Sequence, residues 1–344
     1  MSLPETMQAL ILTQDGFAAT ASGPMIDRTE DWLELKEVEV PKPGEGQALI
    51  AVRRASVNPS DIHFIKGEYG QKREQGRPAG MEGCGDVIEG PDHLKGKRVA
   101  FVAGPGGSGA WAQYAVADAN ACIPLRDDLN DTDGAAQIVN PLTAMAMVGI
   151  AEAEGDAFIA TALSSQLGKL MCGLAKDKGL QLIGTVRRDG PIDELRALGA
   201  TQVLNTEDGG FEPRAREIIR DLKPKVMLDA VTDQLSERMF LSMPFGGRWI
   251  TYGKLGAGAP ELTNTGQFIF QQKRIEGFWL NMWFRDTPPD VQAKTVAEVQ
   301  ARFADGRWST DVSAELSLGE MMDRLPDALR AKGGKVVVNV GQGG

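Results

Sequence analysis

Histidine is almost absent from this chain: 344 residues carry only His63 and His93. A zinc hydrolase, a Ser-His-Asp triad or a histidine acid–base dehydrogenase would have to work through one of these two. His93 lies in the polar stretch Pro91-Asp-His-Leu-Lys-Gly-Lys97, which reads as a surface turn. Cysteine is scarce too. Cys84, Cys122 and Cys172 are far apart, odd in number and form no C-x-x-C pair, so neither a zinc knuckle nor a redox dithiol is available. The pattern suits a reducing compartment. No window offers about 20 uninterrupted apolar residues, so no membrane-spanning helix is expected. The opening Met-Ser-Leu-Pro-Glu-Thr lacks the basic and apolar regions of a secretory signal, and a cytoplasmic location is expected. Positive charge is in deficit: 37 Lys and Arg face 47 Asp and Glu, a net charge of −10. Such a surface repels phosphate backbones, which excludes nucleic acid as an expected partner.

What remains is ordinary globular composition, 42% apolar and 24% charged, at a length that suits two domains. Residues 1–125 read as β-rich. Short apolar runs at Ala48–Arg53 and Arg98–Val102 are bounded by Gly and Pro, and Gly80 to Gly90 is a glycine-laden strand. Gly104-Pro-Gly-Gly-Ser-Gly109 reads as a turn and not a phosphate loop, because no helix follows it. From 126 to 265 strands and helices alternate. Asp156–Ala162, Leu180–Val186, Gln202–Leu204, Val226–Asp229 and Arg248–Tyr252 are strand candidates. Gln166–Lys178 and Ile192–Leu198 are helix candidates stopped by Gly179 and Gly199. This alternation predicts a parallel sheet covered on both faces, an α/β, doubly wound domain. Residues 266–344 add a strand at Arg274–Leu280, a helix at Asp290–Ala304 and a closing β run at Gly334–Val340 that needs a partner in the first domain. The expected division is therefore 1–125 with 266–344, and 126–265.

The first strand of a doubly wound domain runs into a helix whose N–H groups meet a dinucleotide pyrophosphate. Here that junction is Ala162-Leu-Ser164-Ser165-Gln166-Leu167-Gly168, small-x-x-small-x-x-Gly in place of G-x-G-x-x-G. A tight strand–helix turn built of small residues explains it equally well. After the second strand come Arg187 and Arg188, where an acidic residue would bond the ribose 2′-OH of NAD and arginine matches a 2′-phosphate. The pair points to NADPH; solvated surface charge is the other reading.

These features fall in the order of a known family. Ser56-Val-Asn-Pro-Ser-Asp61, Lys66-Gly-Glu-Tyr-Gly70, Gly80-Met-Glu-Gly83, Val139-Asn-Pro-Leu-Thr143, the 162–168 loop, Gly247–Gly253 and Gly277-Phe-Trp-Leu-Asn-Met-Trp283 carry the likeness. The chain resembles the zinc-independent branch of the medium-chain dehydrogenase/reductase superfamily from Gln8 to Val340. It looks most like the mitochondrial-type trans-2-enoyl-thioester reductases, then the quinone oxidoreductases. The resemblance implies a Rossmann cofactor domain inserted into a β-rich, partly closed-barrel (GroES-like) catalytic domain, NADPH as cofactor and a homodimer. Zinc members have cysteine where Asn58 stands and histidine where Met81 stands, so no metal is expected. Glu82 is then a structural carboxylate bonded to backbone or to a basic group.

Without zinc, the resemblance implies reduction of an activated C=C bond in an enoyl thioester or small enone. Hydride adds at the β-carbon, and a hydroxyl donates a proton. It puts the proton donor at Tyr69, one of only three tyrosines; a tyrosine that merely lines the cleft is the alternative. Asn140 and Thr143 match positions near the nicotinamide and its ribose; capping of a helix at Leu142–Gly149 is the other reading, and the two are compatible. Tyr252 and Gly253 match the backbone that meets the carboxamide. Phe278, Trp279 and Trp283 would line the cleft, with Asn58 and Trp283 in the substrate pocket, although large aromatics are more often core. Lys335 matches a contact to the cofactor phosphate. Gln166 departs from the family's usual glycine and either crowds or bonds the pyrophosphate. Two other functions stay open: an NADPH:quinone oxidoreductase, and a catalytically silent NADPH-binding protein.

Overall fold

The computed structural model describes residues 3–104, 107–256 and 258–341. Its residues group into two units, one of residues 1–139 and 300–344, the other of residues 140–299. Each is described by itself.

The first unit opens with β1 (Thr6–Leu12) and β2 (Leu33–Glu39), an antiparallel pair. Then come β3 (Gln47–Val57), α1 (Pro59–Ile65), β4 (Glu82–Glu89), β5 (Arg98–Val102), β6 (Tyr114–Asp118), β7 (Cys122–Pro124) and the single turn α2 (Asp131–Gly134). The 11-residue β3 is the hub, pairing antiparallel with β4 and β6. Gly80 is obligatory beside it: its φ is +95°, and a Cβ there would stand 2.5 Å from the Trp111 indole. Trp111 is fully buried and donates from Nε1 to the Ser56 carbonyl at 3.2 Å. In the loop read as a turn, Pro105 and Gly106 lie outside the described residues. Ser108 beyond them is paired with Val116, N–H to carbonyl at 2.8 Å.

The chain enters the second unit at the start of α3 (Val139–Glu154). Strands and helices then alternate: β8 (Ala157–Ala160), α4 (Gln166–Lys178), β9 (Gln181–Val186), α5 (Ile192–Leu198), β10 (Gln202–Asn205), α6 (Phe211–Leu222), β11 (Val226–Asp229), α7 (Gln234–Ser242), β12 (Arg248–Thr251), α8 (Gly266–Phe270), β13 (Arg274–Gly277), α9 (Leu280–Asp286) and α10 (Pro289–Ala304). The six strands are all parallel, in the order β10-β9-β8-β11-β12-β13. The order reverses between β8 and β11, which makes a doubly wound sheet with a switch point there. The apolar runs of β8 and β11 are buried throughout, as strands covered on both faces must be.

α10 runs on past Val299, and its last residues belong to the first unit again. There β14 (Val312–Ser317), α11 (Leu318–Arg330) and β15 (Lys335–Asn339) complete the β-rich sheet. β15 pairs with β3, as the lone terminal β run required. Leu10, Ile62, Phe101, Trp111, Leu325 and Val338 share its core.

The structure departs from the sequence reading in three places. The units divide at 139/140 and 299/300, not at 125/126 and 265/266, because β13 extends the parallel sheet beside β12 and keeps 266–299 with it. The strand expected over Arg274–Leu280 ends at Gly277, and Leu280 opens a helix. Finally, α3 begins at Val139, so Asn140 and Thr143 lie inside the helix and do not cap one beginning at Leu142.

Candidate functional site

In the first unit the candidate residues sit around α1. Pro59 begins the helix, and Asp61 in its first turn reaches back: its Oδ2 accepts from the Asn58 N–H at 2.8 Å and its Oδ1 from the Met81 N–H at 2.6 Å. Burial pushes the Asp61 carboxyl up to about 7, against those two hydrogen bonds. The carboxyl thus fastens the start of α1 to the strand that carries Glu82.

The side chain of Asn58 faces a buried polar network. Its Nδ2 donates to Glu82 Oε1 at 2.9 Å and to Ser56 Oγ at 3.2 Å, and its Oδ1 accepts from Lys335 Nζ. Glu82 also accepts from Ser56 Oγ at 2.6 Å and from the Val139 N–H at 2.9 Å, and Lys335 Nζ lies 3.7 Å away. Glu82 is thus bonded to a backbone amide and paired with a basic group. Asn58 and Lys335, 277 residues apart in sequence, are brought together in this one network. Burial pushes the Lys335 ammonium down, and the Glu82 and Asp61 carboxyls oppose that.

Zinc does not fit here. An amide at 58, a thioether at 81 and one carboxylate already committed to three donors cannot supply a tetrahedral site. Among the described residues no group of three or more His, Cys, Asp or Glu could hold a metal ion. The cysteines are inert as nucleophiles: all three are buried, and burial pushes each thiol up to about 12.

Tyr69 lies on the loop after α1 and is half-buried. Its neighbour Glu68 makes an ion pair that the sequence reading missed, with Oε2 3.0 Å from His63 Nδ1 and Oε1 3.1 Å from Lys66 Nζ. The sequence offers only a histidine five residues before the glutamate, a spacing that does not by itself report burial.

In the second unit the 162–168 turn, Arg187 and Arg188, Tyr252 and Gly253, and Phe278 and Trp279 follow the carboxyl ends of β8, β9, β12 and β13, where open α/β sheets bind ligands. β8 leads into a turn in which Ala162 takes a left-handed φ of 50° and the Ser165 N–H returns to its carbonyl at 3.0 Å. Ser165 then caps α4, its Oγ accepting from the Gly168 N–H at 3.1 Å. Gly168 permits the close helix–strand approach, since a Cβ would stand 2.2 Å from the Leu163 carbonyl oxygen. Ser164 and Gln166 are half-buried beside the cap, and Leu167 packs inward. Arg187 and Arg188 follow β9, exposed, with no side-chain partner among the described residues. The cradle fits a phosphorylated dinucleotide: N–H groups at a helix start and two uncommitted guanidinium groups one strand over.

Tyr252 and Gly253 follow β12. The Gly253 carbonyl accepts from Thr232 Oγ1 at 2.8 Å, and Thr232 is held at a left-handed φ of 58°. Behind it lies a buried acceptor that sequence reasoning did not single out. Asp229 takes hydrogen bonds from Thr161 Oγ1 at 2.6 Å, Trp249 Nε1 at 2.8 Å and the Val231 and Thr232 N–H groups. It thereby laces the ends of β8, β11 and β12 together at the switch point. Phe278 and Trp279 follow β13, and Trp283 on α9 packs edge-on against Phe284 at 5.2 Å. Asn140 and Thr143 lie in the first two turns of α3, Thr143 buried and Asn140 half-buried.

Comparison with known proteins agrees with this architecture. Residues 44–127 match the family model of the alcohol dehydrogenase GroES-like domain, and residues 167–301 that of the zinc-binding dehydrogenases. The mitochondrial enoyl-(acyl-carrier-protein) reductase of Rattus norvegicus is 30% identical over 267 residues, covering 75% of this chain and 71% of that protein. The chain belongs to the medium-chain dehydrogenase/reductase superfamily. The Homo sapiens enoyl-(acyl-carrier-protein) reductase is 27% identical over 307 residues, 87% of this chain and 82% of its own. A crystal structure of a candidate NADPH:quinone reductase from Mesorhizobium loti is 48% identical, covers 98% of this chain and 100% of that one, and superposes with a TM-score of 0.95. The two units are accordingly the GroES-like and Rossmann-like domains of that superfamily, the former split by the latter.

Proposed function

We propose that this chain, an NADPH-dependent oxidoreductase, reduces the C=C bond of an enoyl thioester or small enone, with Tyr69 as proton donor. One observation carries the reading: Tyr69 stands on a loop whose two flanks are anchored by buried charged side chains, Glu68 and Arg73. A surface tyrosine needs no such support; a proton donor does. The names of the mitochondrial relatives support the same substrate class.

NADPH, when bound, supplies the hydride that reaches the β-carbon. The protein holds and orients it. Arg187 and Arg188 take the 2′-phosphate, and the Ser165–Gly168 turn presents N–H groups to the pyrophosphate, with Gln166 as an added donor. The backbone of Tyr252 and Gly253 would hold the carboxamide, and Asn140 and Thr143 the nicotinamide ribose. Phe278, Trp279 and Trp283 exclude water from the acceptor. The Tyr69 phenol gives its proton to the α-carbon as the enolate collapses. Asn58 and Lys335 have a supporting part, tying the start of β15 to the end of β3 and the turn into α1.

The test is NADPH oxidation driven by crotonyl-CoA in D₂O. Butyryl-CoA carrying one deuterium at the α-carbon is the expected product. No turnover with any enoyl thioester or enone, alongside tight NADPH binding, contradicts the reading and leaves the chain a binding protein. A second reading, NADPH:quinone reduction, is favoured by the 48% identity to the candidate quinone reductase, and quinone turnover without thioester turnover would select it.

The working form proposed is a homodimer. β13 is an edge strand, and Ile269, Phe270 and Ile275 around it are 72%, 75% and 40% exposed. A second copy covering this edge would satisfy both its backbone and its apolar surface. Sedimentation of the Phe270→Asp, Ile275→Lys variant as a monomer, against a wild-type dimer, is the expected result; a monomeric wild type contradicts it.

A further inference from the structure

The loop that carries Tyr69 is clamped at both ends to one stretch of chain, residues 14–25. Before Tyr69, the Glu68 side chain is only 2% exposed. It accepts from the Ser22 N–H at 2.9 Å and the Ser22 hydroxyl at 3.1 Å while holding His63 and Lys66. Lys66, equally buried, donates onward to the carbonyls of Gly23 and Met25. After Tyr69, buried Arg73 donates to the Ile65 carbonyl at 2.6 Å, to the Asp15 carbonyl at 3.3 Å and to Gln14 Oε1 at 2.9 Å. Its guanidinium lies over Trp32, 5.8 Å from the ring centroid.

Burying three charged groups, Glu68, Lys66 and Arg73, to hold a short loop is a poor route to stability, since desolvation offsets most of the attraction. It is a good route to a single geometry. Glu68 and Tyr69 stand between Gly67 and Gly70, residues that bring flexibility and no side-chain anchor. Among the chain neighbours of Tyr69, the one with the most side-chain anchors is Glu68. Burial works against ionisation of Glu68, yet the Ser22 amide, His63 and Lys66 hold its carboxyl down to about 2. The Glu68 carboxylate therefore stays ionised well below neutral pH.

We propose that Glu68 is a positioning residue for the reaction: it fixes the Tyr69 phenol by tying the loop to Ser22, His63 and Lys66. This rests on Tyr69 being the proton donor. Proton transfer demands heavy atoms about 2.6–3.2 Å apart. A misplacement of about 1 Å costs on the order of 10²-fold.

The test is a double-mutant cycle on the full-length protein, with kcat and KM for crotonyl-CoA and the NADPH Kd from fluorescence. Tyr69→Phe lowers kcat on the order of 10³-fold. Glu68→Ala lowers kcat on the order of 10²-fold, leaves the NADPH Kd unchanged, and has no further effect in the Tyr69→Phe background. Glu68→Gln keeps the acceptor for Ser22, loses the charge, and falls by a smaller factor, about tenfold. An unchanged kcat in both Glu68 variants overturns the proposal, as does an equal fall with and without the Tyr69 phenol. If Tyr69→Phe alone leaves kcat unchanged, the donor reading itself has failed, which is a separate outcome. Where Glu68→Ala loses NADPH binding through misfolding, the Glu68→Gln arm of the cycle decides.

Discussion

Lys335 donates to the side-chain oxygen of Asn58 while its ammonium stands 3.7 Å from Glu82, so the last strand is bonded through a buried cation to the strand–helix turn that opens α1. Both charged side chains are almost wholly buried, at 3% and 1% exposed. In such a pair, removing one partner costs more than the pair is worth, because the other charge is stranded.

Lys335→Met is therefore expected to destabilise the protein by about 3–5 kcal/mol, the usual cost of an uncompensated buried charge. Lys335→Met with Glu82→Gln should recover part of that loss. Denaturant unfolding of the two variants checks this, and a double variant no more stable than the single one would show that the charge pairing is not what matters.

Asp61 gives a signed dependence on pH. Its carboxyl is raised from the ordinary 3.8 to about 7, chiefly by burial, so between those values the folded state binds the proton that the unfolded state has released. Its contribution is full below the unfolded value and is lost as pH rises through the folded one. Asp61→Asn should flatten this fall in stability between about pH 4 and pH 7. Unfolding free energies at several pH values in that window decide, and an identical slope in the variant would contradict the assignment.

In the proposed function Arg187 and Arg188 set the choice of nucleotide. Replacing both by alanine removes charge-assisted hydrogen bonds worth about 1.5–3 kcal/mol each, so the NADPH Kd should rise by roughly two to four orders of magnitude. NADH binding should hardly change. Parallel fluorescence titrations measure this. Equal weakening of both nucleotides would place the arginines outside the 2′-phosphate contact.

Legibility varied with how local the governing interaction is. The bounds of α4 were readable because Ser165 and Gly179 are chemical start and stop signals adjacent in sequence. The parallel sheet was readable from buried apolar runs at regular pitch. Helix α11 went unread although Ser317 and Glu320 form a capping box at its start, a signal present in the sequence. Strand β13 was extended to Leu280 because Phe278 and Trp279 continue its apolar pattern, and aromatic residues suit a strand as readily as a cleft wall. The Lys335–Asn58 contact and the Asp229 lacing join residues that only the completed sheets bring together. No spacing rule reports such pairs. Glu68 was hidden differently: its neighbour Tyr69 drew attention by chemistry, while a lone glutamate in a loop reads as solvated charge until burial is known.

The central claim is that Tyr69 delivers the proton to an enoyl acceptor. The most direct measurement is kcat for crotonyl-CoA and for a benzoquinone, in the wild type and in Tyr69→Phe, at saturating NADPH. The account predicts that the variant binds NADPH normally and loses crotonyl-CoA turnover on the order of 10³-fold, as removal of a general acid does. Undiminished crotonyl-CoA reduction by Tyr69→Phe would contradict it.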